Sequence, residues 1–171
     1  MAQSTFQGPV RSLSGFISQG PNTITTTGAT TAVTVAANAG KITNVAATSA
    51  ITLPAVNASA NPASSGPGQD PNTLNNLGAT YTFFLPATAS SVTITTASGD
   101  YLLGQVVMGP SGGGATSMFA ANGTSTTTIT LNGGTTGGIK GSFITVVAVA
   151  ANTYMVMGKL LGTATLATPF S

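Results

Sequence analysis

Cysteine, histidine, tryptophan and glutamate are all missing from this 171-residue chain. Without cysteine there are no disulfides and no thiolate metal sites, so stability is independent of redox compartment. Without histidine there is no imidazole to serve as base or ligand. Asp70 and Asp100 are the only side-chain carboxylates. A carboxylate pair doing acid–base work needs both groups in one cleft, and a metal site of oxygen ligands needs more than two. A Ser or Thr nucleophile would have only lysine to activate it, and Lys41, Lys140 and Lys159 stand in no Ser-x-x-Lys arrangement. The reading is therefore not an enzyme: no catalytic residues, no cofactor site and no metal site.

Charge is the second scarcity. Arg11 and the three lysines against two aspartates make 4% of the chain, where soluble domains carry about 25%. A surface with so little charge is suited to facing other protein, so assembly is the first positive inference. The net charge of +2 comes from isolated cations and forms no stripe for phosphates, which excludes nucleic acid as a partner. The longest apolar run, Phe143 to Ala151, is about half a membrane span, so no membrane is expected. The opening residues MAQSTFQGPV have no cationic segment leading into an apolar one, so the expectation is a product assembled in the cytoplasm.

What is present is β pattern. Residues 1–22 stand apart between Gly8-Pro9 and Gly20-Pro21. Their apolar residues Phe6, Val10, Leu13, Phe16 and Ile17 keep neither helical nor strand period. This reads as an N-terminal docking arm that needs a surface to lie on, a frayed terminus being the plain alternative. Residues 23–171 read as one β-sandwich domain. Strands are expected near 23–27, 31–36, 40–45 and 49–53, the last ending at Pro54. A long Pro/Gly/Asn/Ser loop covers 56–77, with Leu74 and Leu77 pinning its far end. In residues 78–105, Tyr81, Phe83 and Leu85 alternate with Thr80, Thr82 and Phe84, and Val92 and Ile94 alternate with threonines. Tyr81, Phe83, Val92 and Ile94 are the expected core there, with Asp100 in a turn. Further strands are placed at 101–108, 115–121, 125–131, 141–150, 153–158 and 161–167. The block 141–150 is apolar on both faces, which is the mark of a central strand buried twice, and Asn152 marks a hairpin turn. No helix is expected.

Some features carry less than they first offer. Gly112–Gly114 and Gly133-Gly134 lack the Gly-Lys-Ser/Thr ending of a phosphate loop and read as turns. The sequons at Asn57 and Asn122 are silent without a secretory route. The threonine rows lack the regular spacing of an ice-binding array and read as uncharged outer faces of strands. Ala46–Ala55 and Gly78–Ala87 share a weak echo, which would place two Leu-Pro-Ala strand ends in equivalent positions.

One order of segments points to a family. Ala37–Asn44 (ANAGKITN), Ile51–Ala55 (ITLPA), Gly78–Phe83 (GATYTF), Val92–Thr95 with Ser98-Gly99-Asp100, Ile144–Val149 (ITVVAV) and Tyr154–Gly158 (YMVMG) follow one another. In this order they resemble a β-module of tailed-bacteriophage virion proteins, found in head-decoration (cement) proteins, capsid fibres and tail appendages. The likeness covers about residues 34–160. It departs where Tyr154 stands in place of the usual Trp and where the 56–77 loop is longer. Thr5–Ser12 is similar to arms that open phage head-surface proteins. The resemblance implies an all-β fold, an antiparallel β-sandwich or jelly-roll body with an extended N-terminal arm, forming homotrimers on the capsid outer surface of a virion. The implied partner is the major capsid protein, with Phe6, Val10, Leu13, Phe16 and Ile17 as arm contacts and Arg11 pairing a capsid carboxylate. The rival reading is a host-recognition module of a tail fibre or spike, using loops such as 56–77 and 109–114.

Overall fold

β-Branched and small polar residues alternate along most of the chain, and where they do the backbone extends and pairs. The computed structural model describes residues 25–60, 71–163 and 165–171. The first six strands are β1 (Thr25–Thr26), β2 (Thr30–Ala32), β3 (Ile42–Asn44), β4 (Thr48–Thr52), β5 (Thr80–Phe84) and β6 (Ser91–Thr95). They are followed by β7 (Tyr101–Pro110), β8 (Ser117–Asn122), β9 (Thr128–Leu131), β10 (Phe143–Ala150) and β11 (Thr153–Gly162). Seven form one sheet in the order β1-β3-β5-β10-β11-β7-β8, and four form a second in the order β2-β4-β6-β9.

The all-β expectation holds, but the sheets are mixed where an antiparallel body was expected. β1, β3 and β5 run parallel in the large sheet, and β2, β4 and β6 run parallel in the small one. The physical reason is the connection. Each of the first six strands turns a corner into the opposite sheet instead of folding back as a hairpin, so the next strand in the same sheet arrives in the same direction. The result is a flattened coil of three turns. Its inward rungs stack in register: Thr31, Ile51 and Ile94 in one sheet, Thr43 beside Phe83 in the other. Backbone bonds continue the stacking through the corners, from Val33 N–H to Thr52 O and from Leu53 N–H to Thr95 O, both 2.8 Å. The Leu-Pro-Ala echo does not mark equivalent places: its first copy ends β4 in the small sheet and its second ends β5 in the large one.

Two other expectations change. The strand expected over 31–36 stops at Ala32, and a one-turn helix, α1 (Val35–Asn38), follows. Thr34 caps it, its Oγ1 accepting from Ala37 N–H while Asn38 Oδ1 accepts from Thr34 N–H. The strands expected at 153–158 and 161–167 are one strand through Gly162. Gly158 is not a break: a Cβ there would lie 2.6 Å from Phe143 O, so glycine lets β10 and β11 close up. The β10–β11 hairpin turns at Asn152, as expected, with φ of 58°. Beyond β11, residues 169–171 lie along β9, with Thr130 N–H donating to Pro169 O and Ser171 N–H to Thr128 O.

The core fills the space between the sheets. Tyr81 and Phe83 of β5, Ile144 and Val146 of β10, and Tyr154 and Val156 of β11 meet Ile51, Val92, Ile94, Ile129 and Leu131 of the small sheet, and all are buried. Each such side chain contributes about 1.5–3 kcal/mol by leaving water. The four expected core residues of the 78–105 stretch are all here. In β7 the inward row is interrupted by Gly104, whose φ is +134° and whose hypothetical Cβ would sit 2.2 Å from Val156 O. Gly104→Ala should therefore cost at least about 3 kcal/mol, whereas Gly112→Ala, in open space, should stay within about 0.5 kcal/mol. Urea denaturation of the two variants checks this contrast.

Candidate functional site: a buried polar corner and an apolar sheet face

Chemistry-bearing groups gather at one place only among the described residues, the corner where β4 leaves its sheet and the β6–β7 turn packs against it. Asp100 is buried there, and its Oδ2 accepts from Val56 N–H at 2.8 Å. Its own backbone closes the turn, with Thr96 Oγ1 donating to Asp100 O at 2.7 Å. Asp100 thus sits in the turn the sequence assigned to it. Tyr154 donates its hydroxyl to Pro54 O at 2.7 Å, and its ring meets that of Tyr81 edge-on, centroids 6.4 Å apart. The Tyr81 hydroxyl is buried without a hydrogen-bond partner.

The electrostatics of this corner are those of a sealed joint. Burial raises the Asp100 carboxyl above its ordinary value, and the Val56 N–H pulls partly against that rise. Burial pushes Tyr81 up to about 12. Tyr154 is raised too, first by burial and then by the charges that Tyr81 and Asp100 would carry beside it. A general acid or base must reach substrate, and these groups face backbone and one another. No group of three metal-ligating side chains occurs among the described residues, and no helix in them is long and apolar enough to cross a membrane.

Next to this corner the base of the 56–77 loop is closed by asparagine amides. Asn57 N–H donates to Asn76 Oδ1, Asn76 Nδ2 to Ala55 O, and Asn57 Nδ2 to Thr73 O, all within 2.9 Å. Leu74 is half-buried and Leu77 is exposed, so the pin is the buried Asn76 and not the leucine pair that hydrophobicity singled out. The sequon asparagines have local jobs. Asn57 holds the loop base, and Asn122 Oδ1 accepts from the N–H groups of Thr124, Ser125 and Thr126 to shape the β8–β9 turn.

The expected arm contacts Phe6, Val10, Arg11, Leu13, Phe16 and Ile17 lie outside the described residues, as does Asp70. Lys41, just before β3, Lys140, in the β9–β10 connection, and Lys159, on β11, are all exposed. Sequence reasoning missed a surface. Of the seven large hydrophobic residues that are exposed among the described residues, Ile42, Leu103, Met118, Phe143, Val149 and Met157 all point outward from the large sheet, with Leu77 the exception. β10 is central in that sheet, as expected, but it is buried on one face only: Phe143 is 40% and Val149 43% exposed. The signal was in the sequence as the two apolar faces of 141–150, yet pattern alone could not say that the second face would be left open.

Asparagine 76 can be tested directly: Asn76→Ala strands the Ala55 carbonyl and the Asn57 amide and should cost about 1–3 kcal/mol, read by thermal or urea unfolding. A raised carboxyl pKa stabilises the protein fully below the unfolded value, near 3.9, and loses that contribution as pH rises through the folded value. Stability should accordingly decline as pH rises from the unfolded value through the raised folded value. Asp100→Asn, which keeps an acceptor for Val56, should flatten this part of the melting-temperature profile. A comparison with known proteins gives no match: no protein-family model, no curated protein and no solved structure resembles the chain detectably.

Proposed function

We propose that this chain is a structural protein of the outer surface of a tailed-phage head, where it binds the major capsid protein as a homotrimer and cements neighbouring capsomers. The observation that carries the reading is the concentration of exposed apolar side chains on one face of a two-sheet body that has almost no charge. Such a surface is built to be covered by protein. The resemblance of the segments between residues 34 and 160 to a phage virion module supplies the particular setting.

The mechanism is linkage. A protein that binds only the closed capsomer lattice stabilises it, because separating capsomers then also exposes the contacts of the bridge. The arm would supply part of these contacts through Phe6, Val10, Leu13, Phe16 and Ile17, with Arg11 on a capsid carboxylate. At the middle of their ranges the magnitudes leave the arm short by itself. Five large apolar side chains gain about 7–15 kcal/mol on burial. Ordering the backbone from Phe6 to Ile17 costs about 12–24 kcal/mol. Further contacts by the body, and joint docking of linked copies, make up the difference.

The test is addition of purified protein to capsids that lack it, followed by co-sedimentation and measurement of the temperature at which the particles release DNA. Binding and a raised release temperature are expected, with both lost on deletion of residues 1–20. If the deletion leaves binding and heat resistance unchanged, the arm has no such role. If the protein labels a few sites at the tail instead of many on the head, the host-recognition reading replaces this one.

A further inference from the structure

The outward face of the large sheet has two features of matching shape. Met118 on β8 is the most exposed large hydrophobic residue of the described chain, at 67%. Beside it lies a shallow apolar hollow of about 490 Å³ with Gly104 at its floor, walled by Leu103, Gln105, Met155 and Met157 and left open by the small Ala120. Ala120 is paired with Gln105 and Met118 with Val107, so the projecting side chain stands two residues along the strand from the hollow, roughly 7 Å away. Met118 does not fill the hollow of its own chain.

We propose that this face is where a second copy of the chain packs, Met118 of one copy seating in the Gly104 hollow of the next. Three observations select a copy of the same chain as occupant. The first is strand β10, whose Phe143, Thr145, Val147 and Val149 face outward from the middle of the sheet; a central strand apolar on both sides is composed for burial on both sides. The second is charge. Lys159 is the only ionised side chain on the outward rows of β7, β8, β10 and β11, so the face offers nothing to a strongly charged partner. A copy of the same uncharged face imposes no unpaired charge on it beyond that lysine, whose stem can carry its ammonium to the rim.

The third is area. Seven strands at about 4.8 Å spacing and of mostly five to ten residues give the sheet a projected face of roughly 600 Å². The corrugated accessible surface is larger, which brings it to the order of 800 Å² per partner that a stable interface buries. Sheet-on-sheet packing at about 10 Å brings a long, flexible methionine within reach of a hollow on the facing sheet. A ring of three copies satisfies each methionine and each hollow once, as does a reciprocal pair. The inference deepens the assembly reading given above, but its test uses no capsid, so failure here and failure of capsid binding are told apart.

The experiment is sedimentation equilibrium of the full chain, alone and with Met118→Lys, Ala120→Phe and Leu77→Lys. Met118→Lys removes the projecting group, and Ala120→Phe fills the hollow with a strand-favouring residue. The wild type should self-associate, each of the first two variants should weaken association at least tenfold, and Leu77→Lys, away from the face, should leave it unchanged. Circular dichroism and melting curves establish that all three variants are folded. Because the chain has no cysteine, Met157→Cys gives a second readout: a bifunctional maleimide should link copies through it. A monomeric wild type overturns the proposal, as does association untouched by either face variant. So does a wild type that associates only after residues 1–22 are removed, since the face would then belong to the chain's own N-terminal segment.

Discussion

Burial of one face of each sheet against the other is the interaction on which the rest of this structure depends. Tyr81, Phe83, Ile144, Val146, Tyr154 and Val156 on one side and Ile51, Val92, Ile94, Ile129 and Leu131 on the other supply the middle of the core, and Leu53, Leu85, Leu102, Met108 and Leu160 extend it. Several strands bring only one or two of them, and β1 and β2 are too short to hold a sheet by themselves. The coil of the first six strands survives because every turn adds a rung to both sheets at once. Stacking Ile51 on Ile94 in one sheet forces the neighbouring turn of chain to stack Thr43 beside Phe83 in the other. Cooperativity of this kind replaces the local stability that hairpins give an antiparallel body.

A fold with so few charges must satisfy its corners by other means, and it uses amides. Asn38 closes the turn before β3, Asn57 and Asn76 close the long loop, and Asn122 and Asn132 shape the turns around β9. An amide both donates and accepts, so one side chain can hold two strands of backbone without the desolvation cost of an ion. The one described side-chain carboxylate is used in the same way: Asp100 spends an oxygen on the Val56 N–H and is buried with its charge disfavoured. Lysines are left to the exterior. The polar chemistry of the corners is thus turned inward on the molecule's own loops, and what it presents outward is largely uncharged, threonine-rich on the small sheet and more apolar on the large one.

Much of the secondary structure could be read directly. The period-2 stretches at 80–84, 91–95 and 143–150 became strands with the expected residues inside, because alternation on a pleated backbone fixes which side chains share a face. Asp100 in a turn and Asn152 at a hairpin were equally legible, since both residues tolerate or stabilise those local conformations. Features whose cause is not local were not legible in the sequence. Val35–Asn38 became a helical turn because the chain had to reverse between sheets and Thr34 could cap it. Gly158 stayed inside a strand because a neighbouring strand needed its missing side chain. Leu77 was given a pinning role that belongs to Asn76, an assignment that required knowing which backbone groups the fold would bury.

By itself, the sequence determined that this chain is built of strands, that it holds no cysteine or histidine, and that it is poor in charge. Those are properties of residue identity and of period, which any fold must respect. The tertiary structure alone decided that the first strands coil between two sheets in parallel and that the Leu-Pro-Ala echo spans opposite sheets. It also decided that the second apolar face of β10 stays open beside Met118 and its hollow. Strand direction and the covering of a face depend on which distant segments meet, and pairing partners tens of residues apart leave no trace in the local alternation that announces a strand.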